Sequence, residues 1–359
     1  MITDLFYWFN RNWRKLVMVL GAAAWLSVLS FPDNKVKIVY CNAGQGDETL
    51  IQRGFIQILI DGSRPGRGLD CLRKHVPFFD RQIEMVVVSH PQLDHFGGLT
   101  DVFKRYKVMS FVYNGLRGDS SEWKEFSKAV LEEGPEIESV AAGDEIEVGG
   151  MKLKVVWPNK SVISSQFSVL GSKLIGSQFA GPELANRKPA DQNLTTDNRK
   201  PITDSILGVS SQGELNSGAL VMDFNFGDFD ALFTGDIGEE EEREMIKRLK
   251  VEKVRRLENI DILKVAHHGS KYSSSLDFLE AVKPALAVIE VGKNSYGHPT
   301  AEALARLKEV GARVLRTDRD GEVVINTDGK IWRVMENSNL KTQISKLSSK
   351  LKATSSLSF

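Results

Sequence analysis

Apolar and polar positions divide the chain into regimes. Leu16 to Phe31 is an uncharged stretch, apolar all round, behind Arg11, Arg14 and Lys15. From Lys35 onward the apolar residues come in short, β-branched bursts separated by glycine turns and amphipathic stretches, the signature of strands alternating with helices. Strands are predicted at 36–40, 48–52, 55–60, 83–88, 109–113, 145–148 and 151–157. After a break they resume at 219–226, 229–233, 261–266, 285–291, 313–316, 322–326 and 331–335. Two hairpins are expected, over Gly149-Gly150 and over Gly227-Asp228. Helical spacing marks 69–75, 99–106, 122–132, 239–250, 276–282 and 300–310, the last with Thr300 as N-cap.

Residues 159–217 interrupt this pattern. They are rich in Ser, Asn, Gln and Gly, carry Pro182, Pro189 and Pro201, and show little periodicity. Such a stretch reads as a polar, flexible insert beside the site, and a substrate lid is one use for it. A Ser- and Lys-rich tail occupies 337–359. The organisation is therefore 1–34 as an N-terminal membrane anchor or uncleaved signal, 35–336 as one domain carrying the insert, and the tail. The apolar run is shorter than the roughly 20 residues a span needs, yet its basic start and the interfacial aromatics Phe6, Tyr7, Trp8 and Phe9 suit a membrane. The expectation is a single pass through residues 16–31, with the domain outside the cytoplasm; a secreted chain is the alternative.

Candidate chemistry sits where strands end. Ser89-His90-Pro91-Gln92-Leu93-Asp94-His95 follows the buried strand at 83–88. Thr234-Gly235-Asp236, His267-His268-Gly269-Ser270 and Tyr296-Gly297-His298-Pro299 each follow another strand. Five of the six histidines lie in such loops. Scattered core histidines would not collect there, whereas metal ligands must converge on one volume. Gly97 and Gly98 let the backbone pass close to such a centre. His75, between charged neighbours, reads as a surface residue. Asp61, at a strand end, would hold a ligand in place or merely shape a turn. Gly44-Gln45-Gly46-Asp47 is a glycine-rich turn of the kind that can cradle a phosphate, but no helix start follows it, which argues against a P-loop.

In this order, with Ile58-Leu59-Ile60-Asp61-Gly62, these motifs resemble the metallo-β-lactamase superfamily and, within it, the soluble metallohydrolase domain of the DNA-uptake competence family ComEC. The resemblance covers Lys35 to Val334. With two strand-rich halves flanked by helices, it implies an α/β (α+β) fold, a four-layer αββα sandwich with metals at the seam, here preceded by an N-terminal apolar helix. It implies one or two ions, Zn²⁺ or Mn²⁺. His90 would serve the first metal; Asp94, His95 and the histidine pair the second; Asp236 would bridge. Of the pair, His267 is favoured because it comes first off the strand, although His268 stays open. Asp94 and His298 would be catalytic, His298 binding a substrate oxyanion or donating a proton.

The chain departs from the family's pattern at Asn42 and at Gln92, where a neutral amide replaces a stronger ligand. No histidine lies between His95 and His267, and Asn216-Ser217-Gly218 stands near where relatives place a further ligand of the first metal. Zero formal net charge gives no global push toward nucleic acid. Two cysteines do not make a disulfide framework, and Cys41 reads as a small buried residue. The favoured reading is a metal-dependent phosphodiesterase or nuclease acting on nucleic acid or a nucleotide. The alternatives are a membrane-tethered, catalytically weakened binding module, and a β-lactam or thioester hydrolase on the same scaffold.

Overall fold

The computed structural model describes residues 12–15, 17–18, 21, 34–159, 212–252 and 257–335. Among these, strands form two sheets. The first contains β1 (Val36–Tyr40), β2 (Thr49–Arg53), β3 (Ile56–Ile60), β4 (Gln82–Val88), β5 (Lys107–Tyr113) and β6 (Glu136–Ser139). It also takes the closing strands β14 (Val323–Thr327) and β15 (Trp332–Met335), in the order β15-β14-β1-β2-β3-β4-β5-β6. The second runs β13-β12-β11-β10-β9-β8-β7, from β7 (Glu145–Val148) and β8 (Met151–Trp157) through β9 (Val221–Phe226) and β10 (Phe229–Phe233) to β11 (Ile262–Lys264), β12 (Leu286–Ile289) and β13 (Arg313–Arg316).

Period-2 alternation explains the layering. Inward positions such as Ile38, Ile58, Met85 and Val87 of the first sheet meet Leu153, Met222, Ala231 and Val288 of the second in a central core. Outward positions of the first sheet pack under helices α1 (Asp70–His75), α2 (Leu93–Phe96), α3 (Leu99–Phe103) and α4 (Ser121–Glu133). Those of the second pack under α6 (Glu239–Glu252), α7 (Leu276–Val282) and α8 (Ala301–Glu309). The short helices α5 (Gln212–Ser217) and α9 (Thr317–Asp320) complete the described elements. Helix α4 shows the local logic. The Ser120 hydroxyl accepts from Trp123 N at 3.1 Å, Gly134 ends the helix at φ +75°, and Trp123, Phe126, Ala129 and Val130 face inward.

Several expectations are corrected. The halves are interleaved rather than sequential. The hairpin at 145–157 opens the second sheet, while β14 returns to pair with β1 from Val36↔Thr327 to Tyr40↔Val323. The two cysteines are joined: Cys41 and Cys71, 30 residues apart, form a disulfide, because α1 lays Cys71 over the end of β1. His75 is no surface residue; its Nε2 lies 3.1 Å from Glu322 Oε1, with both side chains 12% exposed. The single-pass membrane placement, with its N-terminal apolar helix, is not upheld either. Among the described residues no helix is long and apolar enough to cross a membrane, and the apolar run from Leu16 to Phe31, sixteen residues, is shorter than the roughly 20 that a span requires. Most of 16–31, residues 160–211 of the expected insert, and the tail lie outside the described residues.

Candidate metal centre

The centre lies where strand ends of both sheets face each other. Parallel β3 and β4 deliver Asp61 and Ser89-His90, α2 carries Asp94 and His95, and Asp236 lies three residues past the end of β10. The Ala266–Gly269 turn after β11 carries the histidine pair. Close backbone approach is needed here. A Cβ on Gly98 would stand 2.2 Å from Gly62 O, and one on Gly46, at φ +127°, would stand 2.3 Å from Asp94 O.

Each of three histidines has its Nδ1 tied and its Nε2 left bare. His95 Nδ1 donates to Asp61 Oδ2 at 2.8 Å. Asp61 also accepts from Ser89 N at 2.8 Å and from the Ser89 hydroxyl at 2.6 Å. That hydroxyl has spent its proton on Asp61, so His90 Nδ1, 3.0 Å away, must donate to it. His268 Nδ1 donates to Glu290 O at 2.8 Å and lies 3.2 Å from Asp47 Oδ1. The Nε2 atoms of His90, His95 and His268 are buried without a hydrogen-bond partner, as is Asp236 Oδ1. The His90–His95–Asp236 and Asp94–His95–His268 groups each gather ligand atoms within 4.8 Å. Buried nitrogens left bare in this way fit a bound cation better than an apolar cavity.

His267 and His268 both take left-handed backbone angles, φ 50° and 53°, strain that fits a functional site. It is His268 that turns into the buried group. His267, favoured on sequence, is 32% exposed with Nε2 3.9 Å from Asp236 Oδ2. Its ring faces that of His298 at 5.5 Å, so these two stand at the mouth. Gln92 donates through Nε2 to Asn216 Oδ1 of α5.

Three participants carried no assigned role in the sequence. Asp47 is buried and contacts the Lys264 ammonium directly. Lys264 also donates to Gly235 O at 3.0 Å and lies 3.9 Å from Asp236 Oδ1. Glu290 accepts from Glu48 N at 3.1 Å and from the Thr49 hydroxyl at 3.0 Å, tying the glycine turn to the second sheet. Lys264 had a visible signal: a charge inside the apolar run 262–266 must be paired if buried.

The electrostatics favour positive charge at the centre. Burial alone would lower His95 and His268. The carboxylates of Asp236, Asp61 and Asp47 outweigh it and hold His95 well above its ordinary range, while Asp236 and Asp47 raise His268 to about 10. Burial would raise Asp236, but His95, His268 and His267 pull it well below the usual carboxylate range. His90, lowered to about 3 by burial and by His95, is neutral. His298 is lowered to about 4 by burial and by His267.

Comparison with known proteins agrees with this geometry. Residues 50–291 match the Metallo-beta-lactamase superfamily. The chain is 27% identical over 305 residues to ComE operon protein 3 of Bacillus subtilis (strain 168), covering 78% of this chain and 31% of that protein. It is 23% identical over 290 residues to Recombination protein 2 of Haemophilus influenzae, covering 79% of this chain and 28% of that protein. A 61-residue stretch, 17% of this chain and 9% of the relative, is 46% identical to Competence protein ComA of Neisseria gonorrhoeae. The chain thus spans about a third or less of the length of these relatives. With two thirds of its residues inside the matched region and the motifs in the expected order, the chain belongs to the metallo-β-lactamase superfamily.

Proposed function

We propose that the chain is a metal-dependent hydrolase that cleaves phosphodiester bonds in nucleic acid or nucleotides. The observation that carries this reading is the set of three imidazoles with tied Nδ1 and bare, buried Nε2 atoms. Asp94, His95, His268 and Asp236 would hold one divalent ion. His90 and Asp236 would offer a second, poorer position beside Gln92. Imidazole and carboxylate donors suit Zn²⁺ or Mn²⁺. Such an ion supplies Lewis-acid polarisation of a phosphoryl oxygen and of water.

The protein's own residues do the rest. Asp61 and Glu290 fix the imidazole orientations. Lys264 balances Asp47 beneath the centre. His298, neutral at physiological pH, would donate a hydrogen bond to a substrate oxygen at the mouth rather than deliver a proton. The nucleic-acid substrate is supported by the names of the relatives, a competence protein and a recombination protein. The Gln92–Asn216 hydrogen bond favours a second reading, a binding module with weakened catalysis.

The test is cleavage of single-stranded DNA and of bis-p-nitrophenyl phosphate with Mn²⁺ or Zn²⁺. Asp94→Ala should abolish a measurable wild-type rate. Equal rates for the two proteins would end the hydrolase reading for these substrates.

A further inference from the structure

Glu48 is fully buried, and neither of its carboxyl oxygens has a hydrogen-bond partner. An uncompensated carboxyl in an apolar layer is costly and needs a chemical reason. Its surroundings supply one. Cys41 N donates to Glu48 O at 2.9 Å across the β1–β2 turn, which sets the two side chains next to each other. Cys71 arrives from α1, and ligand atoms of Cys41, Glu48 and Cys71 lie within 4.8 Å of one another. Both cysteines belong to the outer core of the first sheet, with Val39, Leu50 and Leu72. None of the three is a member of the histidine groups described above.

We propose that reduction of the Cys41–Cys71 bond converts this trio into a second, independent metal site, with two thiolates and one carboxylate suited to Zn²⁺. The conversion balances simply. A dithiol reductant supplies two electrons and two protons and itself becomes a disulfide, leaving two thiols. A zinc ion then displaces both thiol protons and the proton held by the buried Glu48 carboxyl, and bonds to two sulfurs and one carboxylate oxygen, with a water molecule as the fourth ligand. Tetrahedral zinc with Zn–S of about 2.3 Å needs sulfurs about 3.8 Å apart. The Cα atoms stand 5.9 Å apart, a separation compatible with that sulfur spacing. Thiolates also make the site choose zinc over manganese, unlike the imidazole and carboxylate centre. The unpaired carboxyl is thereby explained as a ligand held in reserve.

The experiment uses the full chain, oxidised or reduced with dithiothreitol that is then removed anaerobically, and Co²⁺ as the probe. Reduced protein should bind one equivalent more than oxidised protein. It should also show the near-ultraviolet thiolate-to-cobalt band, which histidine and aspartate ligands do not give. Glu48→Gln should keep the disulfide when oxidised but lose the extra equivalent at stoichiometric cobalt when reduced. Cys41→Ser with Cys71→Ser should lack the band while leaving metal at the histidine centre. Free thiols without the band would overturn the proposal. So would a disulfide that resists reduction in the folded chain, or a full-strength site in Glu48→Gln. If the double serine variant does not fold, Glu48→Gln decides alone.

Discussion

Replacing Asp61 by asparagine tests the logic of the centre most directly. Asp61 Oδ1 accepts from Ser89 N at 2.8 Å, and Oδ2 accepts from the Ser89 hydroxyl at 2.6 Å and from His95 Nδ1 at 2.8 Å. Asparagine keeps one acceptor and puts an NH₂ donor where the other stood. If the NH₂ faces His95, that ring must take its proton on Nε2 so that Nδ1 can accept. The nitrogen aimed at the metal is then blocked. If it faces Ser89 N instead, two donors collide in a buried site. Either way the ligand is mis-set, and outer hydrogen-bond partners of metal-binding histidines are worth roughly 10- to 100-fold in affinity, or about 1.4–2.7 kcal/mol. Competition of the purified variant with a chelator, for Zn²⁺ and for Mn²⁺, reads this loss. Nitrogen-15 chemical shifts of the imidazoles read the tautomer separately from any loss of stability. Unchanged affinity in a folded Asp61→Asn protein would refute the argument that Asp61 sets the His95 donor.

Gln92→Asp places a carboxylate beside His90 in exchange for a neutral amide; tighter metal binding and faster turnover are expected, and weaker binding in the same chelator assay would count against a ligand position at 92. Trp123 packs edge-on against Phe96 of α2 with ring centroids 4.8 Å apart, so Trp123→Ala should cost about 3–5 kcal/mol in urea unfolding; a loss below about 1 kcal/mol would show that this contact is not central to the outer core. Burial would raise the Glu322 carboxyl, but hydrogen bonds from His75 and Lys74 outweigh it and hold its pKa at about 2. A folded value below the unfolded one of about 4.3 means a contribution fully present above that pH and lost as pH falls toward 2. Glu322→Gln should therefore lose less stability than wild type between about pH 5 and about pH 3, and parallel losses would show that the pair contributes nothing.

Local patterns carried most of the elements, because hairpin turns and buried strands write themselves into neighbouring residues. Gly149-Gly150 and Gly227-Asp228 turn the chain where expected, with Val148↔Met151 and Phe226↔Phe229 closing the hairpins. Strand β6, Glu-Ile-Glu-Ser at a sheet edge, has too little apolar content to stand out. The return of β14 to β1 and the meeting of Cys41 with Cys71 are long-range facts that no local window contains. The centre divides along the same line. Its strand-end loops were legible, because ligands attached to both sheets can converge only where strands stop. Which side chain turns inward was not. Coming first off a strand favours His267 only if the backbone continues extended past Val265. Instead residues 267 and 268 both go left-handed, and the second imidazole is rotated onto Glu290 O and into the cluster. Asp47 and Lys264 follow the same rule. Asp47 looks like an ordinary turn charge, and Lys264, though out of place in an apolar run, names no partner until the two sheets are stacked, when each becomes the other's counter-ion in a place that water does not reach. A buried lysine beneath a set of bare imidazoles is tolerable only because Asp47 and Asp236 lie beside it, so the charge balance of the centre, unlike its strand ends, is a property of the two sheets together.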